Sequence, residues 1–110
     1  MSGARTLLQI PRQVRKGVPF EVRATIGHAM ETGYRPGSDG RIVPRDIIRR
    51  FVCRVDGAPV FEAELHPAIS ANPYLSFHLR LDANARLSLR WEGDNGFAHT
   101  EDVDITVAAA

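Results

Sequence analysis

The sequence predicts an all-β domain, an immunoglobulin-like antiparallel β-sandwich of about seven strands, and three observations carry that reading. Apolar residues recur at every second position through most of the chain, as they must where one sheet face is buried and the other meets water. The alternating runs are short and are separated by turn residues. The length of 110 residues is close to the ~100 of such a sandwich, so residues 1–110 are expected to form a single domain around one core.

Thr6 to Ile10 is a short first strand. In the next, Phe20, Val22, Ala24 and Ile26 alternate with Glu21, Arg23 and Thr25, and the pattern runs to about His28. A Gly- and Pro-containing stretch from Met30 to Pro44 follows. Residues Pro44 to Phe51 could place Ile47, Ile48 and Phe51 on one helical face, but the segment is short and leads straight into a strand, so it reads as extended. Phe51, Cys53 and Val55 then alternate with Arg50, Val52 and Arg54. Asp56-Gly57 supplies the positive φ angles of a two-residue type I′ turn, so the strand with Phe61, Ala63 and Leu65 inward should return antiparallel. Leu75, Phe77, Leu79 and Leu81 define the next strand, and Leu87, Leu89 and Trp91 the one after Ala83-Asn84-Ala85. A turn cluster at Gly93-Asp94-Asn95-Gly96 precedes a last strand with Val103, Ile105 and Val107. The final alanines read as a loose tail. Trp91 falls on the sixth strand and antibody-type paired cysteines are absent, so the likeness to immunoglobulin domains is one of architecture.

Composition narrows the function classes. Apolar residues are 44% and charged residues 25% of the chain, ordinary for a folded soluble domain. With 14 basic and 13 acidic residues the net charge is +1, so no global field draws the chain to nucleic acid or anionic lipid. The first ten residues lack the basic, apolar and cleavable parts of a signal peptide. Cys53 is the only cysteine, so no internal disulfide forms and the compartment is not revealed by cysteine usage.

Candidate chemistry is sparse. Cys53 shares parity with Phe51 and Val55 and reads as a small buried apolar residue. Ser70 with His66 lacks a nucleophile elbow, and no glycine-rich phosphate loop or distinct carboxylate pair appears. His28 and Met30 are one residue apart, so on an extended strand both point the same way and could hold a soft ion such as copper(I). Two ligands do not make a site, and nothing in the sequence brings His66 or His99 to them. That alternative would make the chain a stand-alone metal-binding or sensing sandwich. Arg41, Arg45, Arg49, Arg50 and Arg54 form a local basic cluster that could dock an acidic partner or an oxyanion, or simply protect a sheet edge. The two segments that break the strand rhythm, residues 28–47 and 66–74, carry the specificity of a sandwich whose loops are held by rigid strands.

The runs His28-Ala-Met-Glu-Thr-Gly-Tyr-Arg35, Gly40-Arg-Ile-Val-Pro-Arg-Asp-Ile-Ile-Arg-Arg-Phe51 and Leu65-His-Pro-Ala-Ile-Ser-Ala-Asn-Pro-Tyr74 resemble the SoxZ family of bacterial thiosulfate oxidation. The resemblance extends over roughly the whole chain. Ala29 departs from it, standing where the family's His-Pro-Met-Glu-Thr-Gly run has proline. The resemblance implies a non-catalytic, cofactor-free subunit paired with SoxY in a periplasmic SoxYZ heterodimer. SoxY carries sulfur intermediates on a cysteine within a Gly-Gly-Cys-Gly-Gly arm, which this sequence lacks. It also implies transient contact with the haem-containing SoxAX, the thiol esterase SoxB and the sulfur dehydrogenase SoxCD, and export alongside SoxY without a signal peptide of its own. On this reading the irregular loops supply the partner-binding surface: His28, Met30, Glu31, Thr32, Gly33, Tyr34, Pro44, Arg45, Asp46, His66, Asn72, Pro73 and Tyr74, with Tyr34 and Tyr74 as anchors. Neither a catalytic residue nor a metal ligand is assigned.

Overall fold

The computed structural model describes residues 4–109. The first three residues of the N-terminal segment and the last of the terminal alanines lie outside them. Eight strands form among the described residues: β1 Thr6–Gln9, β2 Gln13–Arg15, β3 Phe20–Ile26, β4 Ile48–Val55, β5 Ala58–Glu64, β6 Tyr74–Leu79, β7 Ala85–Gly93 and β8 Ala98–Ala108. They build two sheets, one in the order β1-β3-β6 and one in the order β2-β8-β7-β4-β5. The all-β sandwich follows as predicted, since each alternating run buries one face against the other sheet.

Parity holds through the centre. Val22, Ala24 and Ile26 of β3, Phe51 and Cys53 of β4, Leu87, Leu89 and Trp91 of β7, and Val103 and Ile105 of β8 are all buried in one apolar cluster. Phe51 lies at its middle, 5.1 Å from the Trp91 ring and 5.9 Å from Phe77 of the opposite sheet. Phe77 in turn stacks on Phe61 at 4.2 Å and 3°, so aromatic contacts join the sheets as well as the strands. The β4–β5 hairpin is the predicted one: Val55 pairs with Ala58, and Asp56 (φ 48°) and Gly57 (φ 89°) take the left-handed conformations a type I′ turn demands. Residues 44–47 are extended, not helical.

Three features depart from the sequence reading. β2 is additional; it spans three residues, too few for periodicity to register, and pairs parallel with β8. Ala108, placed in a loose tail by the sequence, ends β8, and its carbonyl accepts the Lys16 N–H at 3.1 Å. Val52, on the solvent side by parity, is fully buried. It sits in register with Glu62 and Arg90, on the face where Arg50 pairs with Glu62 (2.8 Å) and Glu92 (3.3 Å) and Arg90 with Glu92 (2.8 Å). Long charged side chains shield apolar surface with their methylene stems.

The long segment between β3 and β4 is an ordered two-stranded arm. Glu31 and Asp46 exchange both backbone hydrogen bonds at 2.9 Å, Pro36 bridges to Ile42, and the Val43 N–H reaches the Arg35 carbonyl at 2.8 Å. The molecule is accordingly elongated, with a radius of gyration of 16.4 Å against about 13 Å for a compact chain of this length.

Candidate functional site

The loops that the sequence singles out converge at one end of the sandwich, where side chains and left-handed residues hold them. Met30 (φ 53°) and Asn72 (φ 55°) both occupy the left-handed region, costly for most side chains and least so for asparagine. Asn72 ties its loop to the other: its Oδ1 accepts the His28 N–H at 3.0 Å, and its own N–H donates to the His28 carbonyl at 2.7 Å. His28 Nδ1 accepts the Met30 N–H at 3.0 Å, which leaves the proton of the neutral ring on Nε2, 4.0 Å from Asp46. The ring stands edge-on to Phe97 at 5.0 Å. Met30, 4% exposed, turns its sulfur to the Ile48 N–H at 3.2 Å.

Met30 is not part of an extended strand but takes a left-handed conformation beyond β3, and His28 Nδ1 and the Met30 sulfur each accept a backbone N–H. No group of three or more His, Cys, Asp or Glu side chains able to hold a metal occurs among the described residues.

Asp94, absent from the sequence-predicted set, organises the neighbouring face. Its Oδ2 accepts Arg45 Nε at 2.9 Å and the Ile47 N–H at 3.2 Å, its Oδ1 accepts Arg45 Nη2 at 2.9 Å, and Arg49 Nε forms an ion pair with Oδ1 at 3.1 Å. Burial works to raise its pKa, but the Arg45 hydrogen bond, the Ile47 N–H and the charges of Arg45 and Arg49 together hold it below the ordinary aspartate value. Gly93 makes this junction possible. A Cβ there would lie 2.5 Å from the Ile47 carbonyl oxygen and 3.0 Å from the Ile48 Cα, so only glycine lets the start of β4 close on the end of β7. The turn cluster at Gly93 is visible in the sequence; the acceptor role of Asp94 across 47 to 49 positions is not.

The remaining predicted residues divide by exposure. Glu31 holds Arg35 through a two-pronged ion pair, with distances of 2.7 and 3.0 Å. Thr32 accepts the Tyr34 N–H at 3.1 Å, and Gly33 packs against Arg45. Pro73 is buried, whereas Pro44, Arg45, His66 and Asn72 are exposed. Tyr34 is 79% exposed on the arm. Tyr74, 56% exposed, stands on the outer face of the three-stranded sheet beside Thr25, which neighbours the exposed Leu7. Cys53 lies in mid-strand, fully buried, its thiol pKa pushed up to about 11 by burial.

Comparison with curated proteins gives no significant match. Among solved structures the fold is similar to superoxide reductase (neelaredoxin) from Ignicoccus hospitalis. One form has 19% identity and a TM-score of 0.71 over 94% of this chain and 80% of that one, and a variant 18% and 0.75 over 97% and 82%. A candidate superoxide reductase from Thermotoga maritima has 15% identity and a TM-score of 0.60, covering 94% of this chain and 85% of its own. At such identities the likeness is one of fold. The family model for the sulphur oxidation protein SoxZ matches residues 8–104, spanning every strand from β2 to β7, half of β1, most of β8 and both converging loops, and the chain therefore belongs to the SoxZ family.

Proposed function

We propose that the chain is the non-catalytic subunit of a SoxYZ sulfur carrier, binding SoxY and supporting the presentation of its cysteine-bound intermediates to SoxAX, SoxB and SoxCD. The observation that carries this is the state of Cys53. In a sulfur-oxidation family the chain's one cysteine is sealed inside the sandwich, with its pKa pushed up to about 11 by burial. A thiol in that setting holds its proton at neutral pH and does not act as a sulfur nucleophile. The reactive sulfur then belongs to another chain. The periplasm is the proposed compartment, reached together with SoxY.

The partner-binding surface is proposed on the exposed members of the converging loops, Tyr34, Pro44, Arg45, His66, Asn72 and Tyr74. Buried Met30 and Pro73 and half-buried His28, with Glu31, Thr32, Gly33 and Asp46, fix their positions. Pre-ordered loops lose little entropy on binding, and large rings with polar tips make effective anchors.

Mixing the purified chain with SoxY tests the reading. A one-to-one complex is expected, and Tyr34→Ala and Tyr74→Ala should each weaken it by about tenfold or more, the scale of a lost aromatic anchor. Cys53 should resist thiol reagents until the domain unfolds. Thiosulfate turnover by the isolated chain, or native-state loading of sulfur onto Cys53, would overturn the proposal.

A further inference from the structure

We infer that the groove between the start of β4 and the segment after β5 is a binding site for a sulfate-like oxyanion, with Arg45, Arg49 and His66 as its polar walls. The groove has a volume of about 340 Å³, and Ile47 and Leu65, both buried, line its base. It draws together three members of the basic cluster, Arg45, Arg49 and Arg50, with His66.

The case begins with an imbalance. A carboxylate has two oxygens and about four lone-pair sites. Asp94 accepts two hydrogen bonds from Arg45 and one from the Ile47 N–H, and Arg49 Nε stands 3.1 Å away as an ion pair. Two guanidiniums thus share a single negative charge most of whose acceptor sites are taken. Each guanidinium has five N–H donors. Arg45 spends one on each of Nε and Nη2, and Arg49, in an ion pair with Asp94, makes only a long 3.5 Å hydrogen bond from Nη2 to the Gly93 carbonyl. The counter-ion is shielded, at 14% side-chain exposure, whereas Arg45 and Arg49 are 48% and 57% exposed. The unused donors therefore face the solvent side.

A second observation is independent of charge. The β4–β7 register shifts between Ile48, opposite Gly93, and Arg50, opposite Glu92. Arg49 is the extra residue of a β-bulge, the device by which a strand re-aims one side chain. In unbroken alternation the Arg49 and Arg50 side chains leave on opposite faces. The bulge instead brings Arg49 to Asp94, while Arg50 remains in the outer ion-pair row with Glu62 and Glu92. The backbone bond from the Leu65 N–H to the Arg49 carbonyl, 2.9 Å, sets His66 on the next position of the same groove. Arg50 and Glu64, opposite each other in the β4–β5 register, also line it as one pair of opposite charge.

Two guanidinium forks lining one groove, each with donors not spent on Asp94, suit an anion with several oxygens and two negative charges. Sulfate and thiosulfate have that form, and the choice between them rests on the sulfur-oxidation reading above. The group could be free or carried on the partner's thiol.

Arginine side-chain NMR of the isolated chain, titrated with sodium sulfate or sodium thiosulfate against sodium chloride at equal ionic strength, tests the site. Saturable shifts at Arg45, Arg49 and His66 are expected with the dianions alone. Arg49→Gln, which leaves the Arg45 fork on Asp94, should weaken binding about tenfold, the worth of one charged hydrogen bond. Asp94→Asn removes the competing charge and should tighten binding severalfold, a gain that a purely structural ion cluster does not give. Identical shifts with chloride, or unchanged affinity in both variants, would overturn the inference. SoxY distinguishes the two sources: with a carried group, Arg49→Gln weakens binding of sulfonate-bearing SoxY but not of the bare thiol form, and with a free ligand it weakens neither. Because the titration uses this chain alone, its failure leaves the SoxY assembly untouched, and failed assembly leaves the titration standing.

Discussion

The middle of the sandwich and its loop end are held by different forces. Around Phe51 and Trp91 the contacts are apolar, non-directional and spread over both sheets, so stability there scales with buried area. Around Asn72, Met30 and Asp94 a few directional bonds carry the arrangement, each on one atom pair. The first region accepts any residue of suitable shape and parity. The second depends on particular side chains, and so can set the exact position of exposed groups.

Removing core volume should have the largest effect. Trp91→Ala is expected to cost about 3–5 kcal/mol in urea unfolding, with the whole domain losing stability together. If only the loop end loosened, the two regions would not share one cooperative unit. Gly93→Ala strikes the boundary between them. The methyl meets the Ile47 carbonyl oxygen and the Ile48 Cα, so a loss of about 1–3 kcal/mol is expected, and a neutral result would mean that β4 can shift without penalty.

Asn72→Ala sharpens the contrast. It forfeits the bond to the His28 N–H and leaves alanine in the left-handed region, for about 1–2 kcal/mol in total. Hydrogen exchange should accelerate in residues 28–32 and 70–74 while β7 amides stay protected; equal acceleration in both would dissolve the distinction. The smallest effect is electrostatic. Asp94 has a pKa lowered in the fold, so its contribution is present above the unfolded value and fades as pH falls below about 4. Asp94→Asn should flatten that acid limb of the stability profile, leaving the neutral-to-alkaline limb unchanged in slope.

The same contrast decides what could be read from the sequence. Alternation names the buried residues of β3, β6, β7 and β8 because a period of two is a property of neighbours along the chain. Asp56-Gly57 declares its turn for the same reason, a local one. Val52 defeats parity because what covers it is a row of paired charges from three strands. Asp94 is illegible in another way: its donors lie 47 to 49 positions away, and no local pattern marks an acceptor for distant arginines. The bulge at Arg49 likewise exists only relative to β7. The motif blocks, by contrast, identify the family directly, since the loops they contain are fixed by specific side chains.

One consequence of the parallel pairing of β2 with β8 concerns time instead of energy. Gln13 meets Thr106 and Arg15 meets Ala108, so this segment waits for a strand about 90 positions later in the chain before its edge is covered. Thr6 waits similarly for Glu101, whose carboxylate it reaches at 2.8 Å. Pairings so distant in sequence close slowly. During synthesis the five-stranded sheet stays open at β8's position, and the domain becomes a finished object only after nearly all of its residues have emerged.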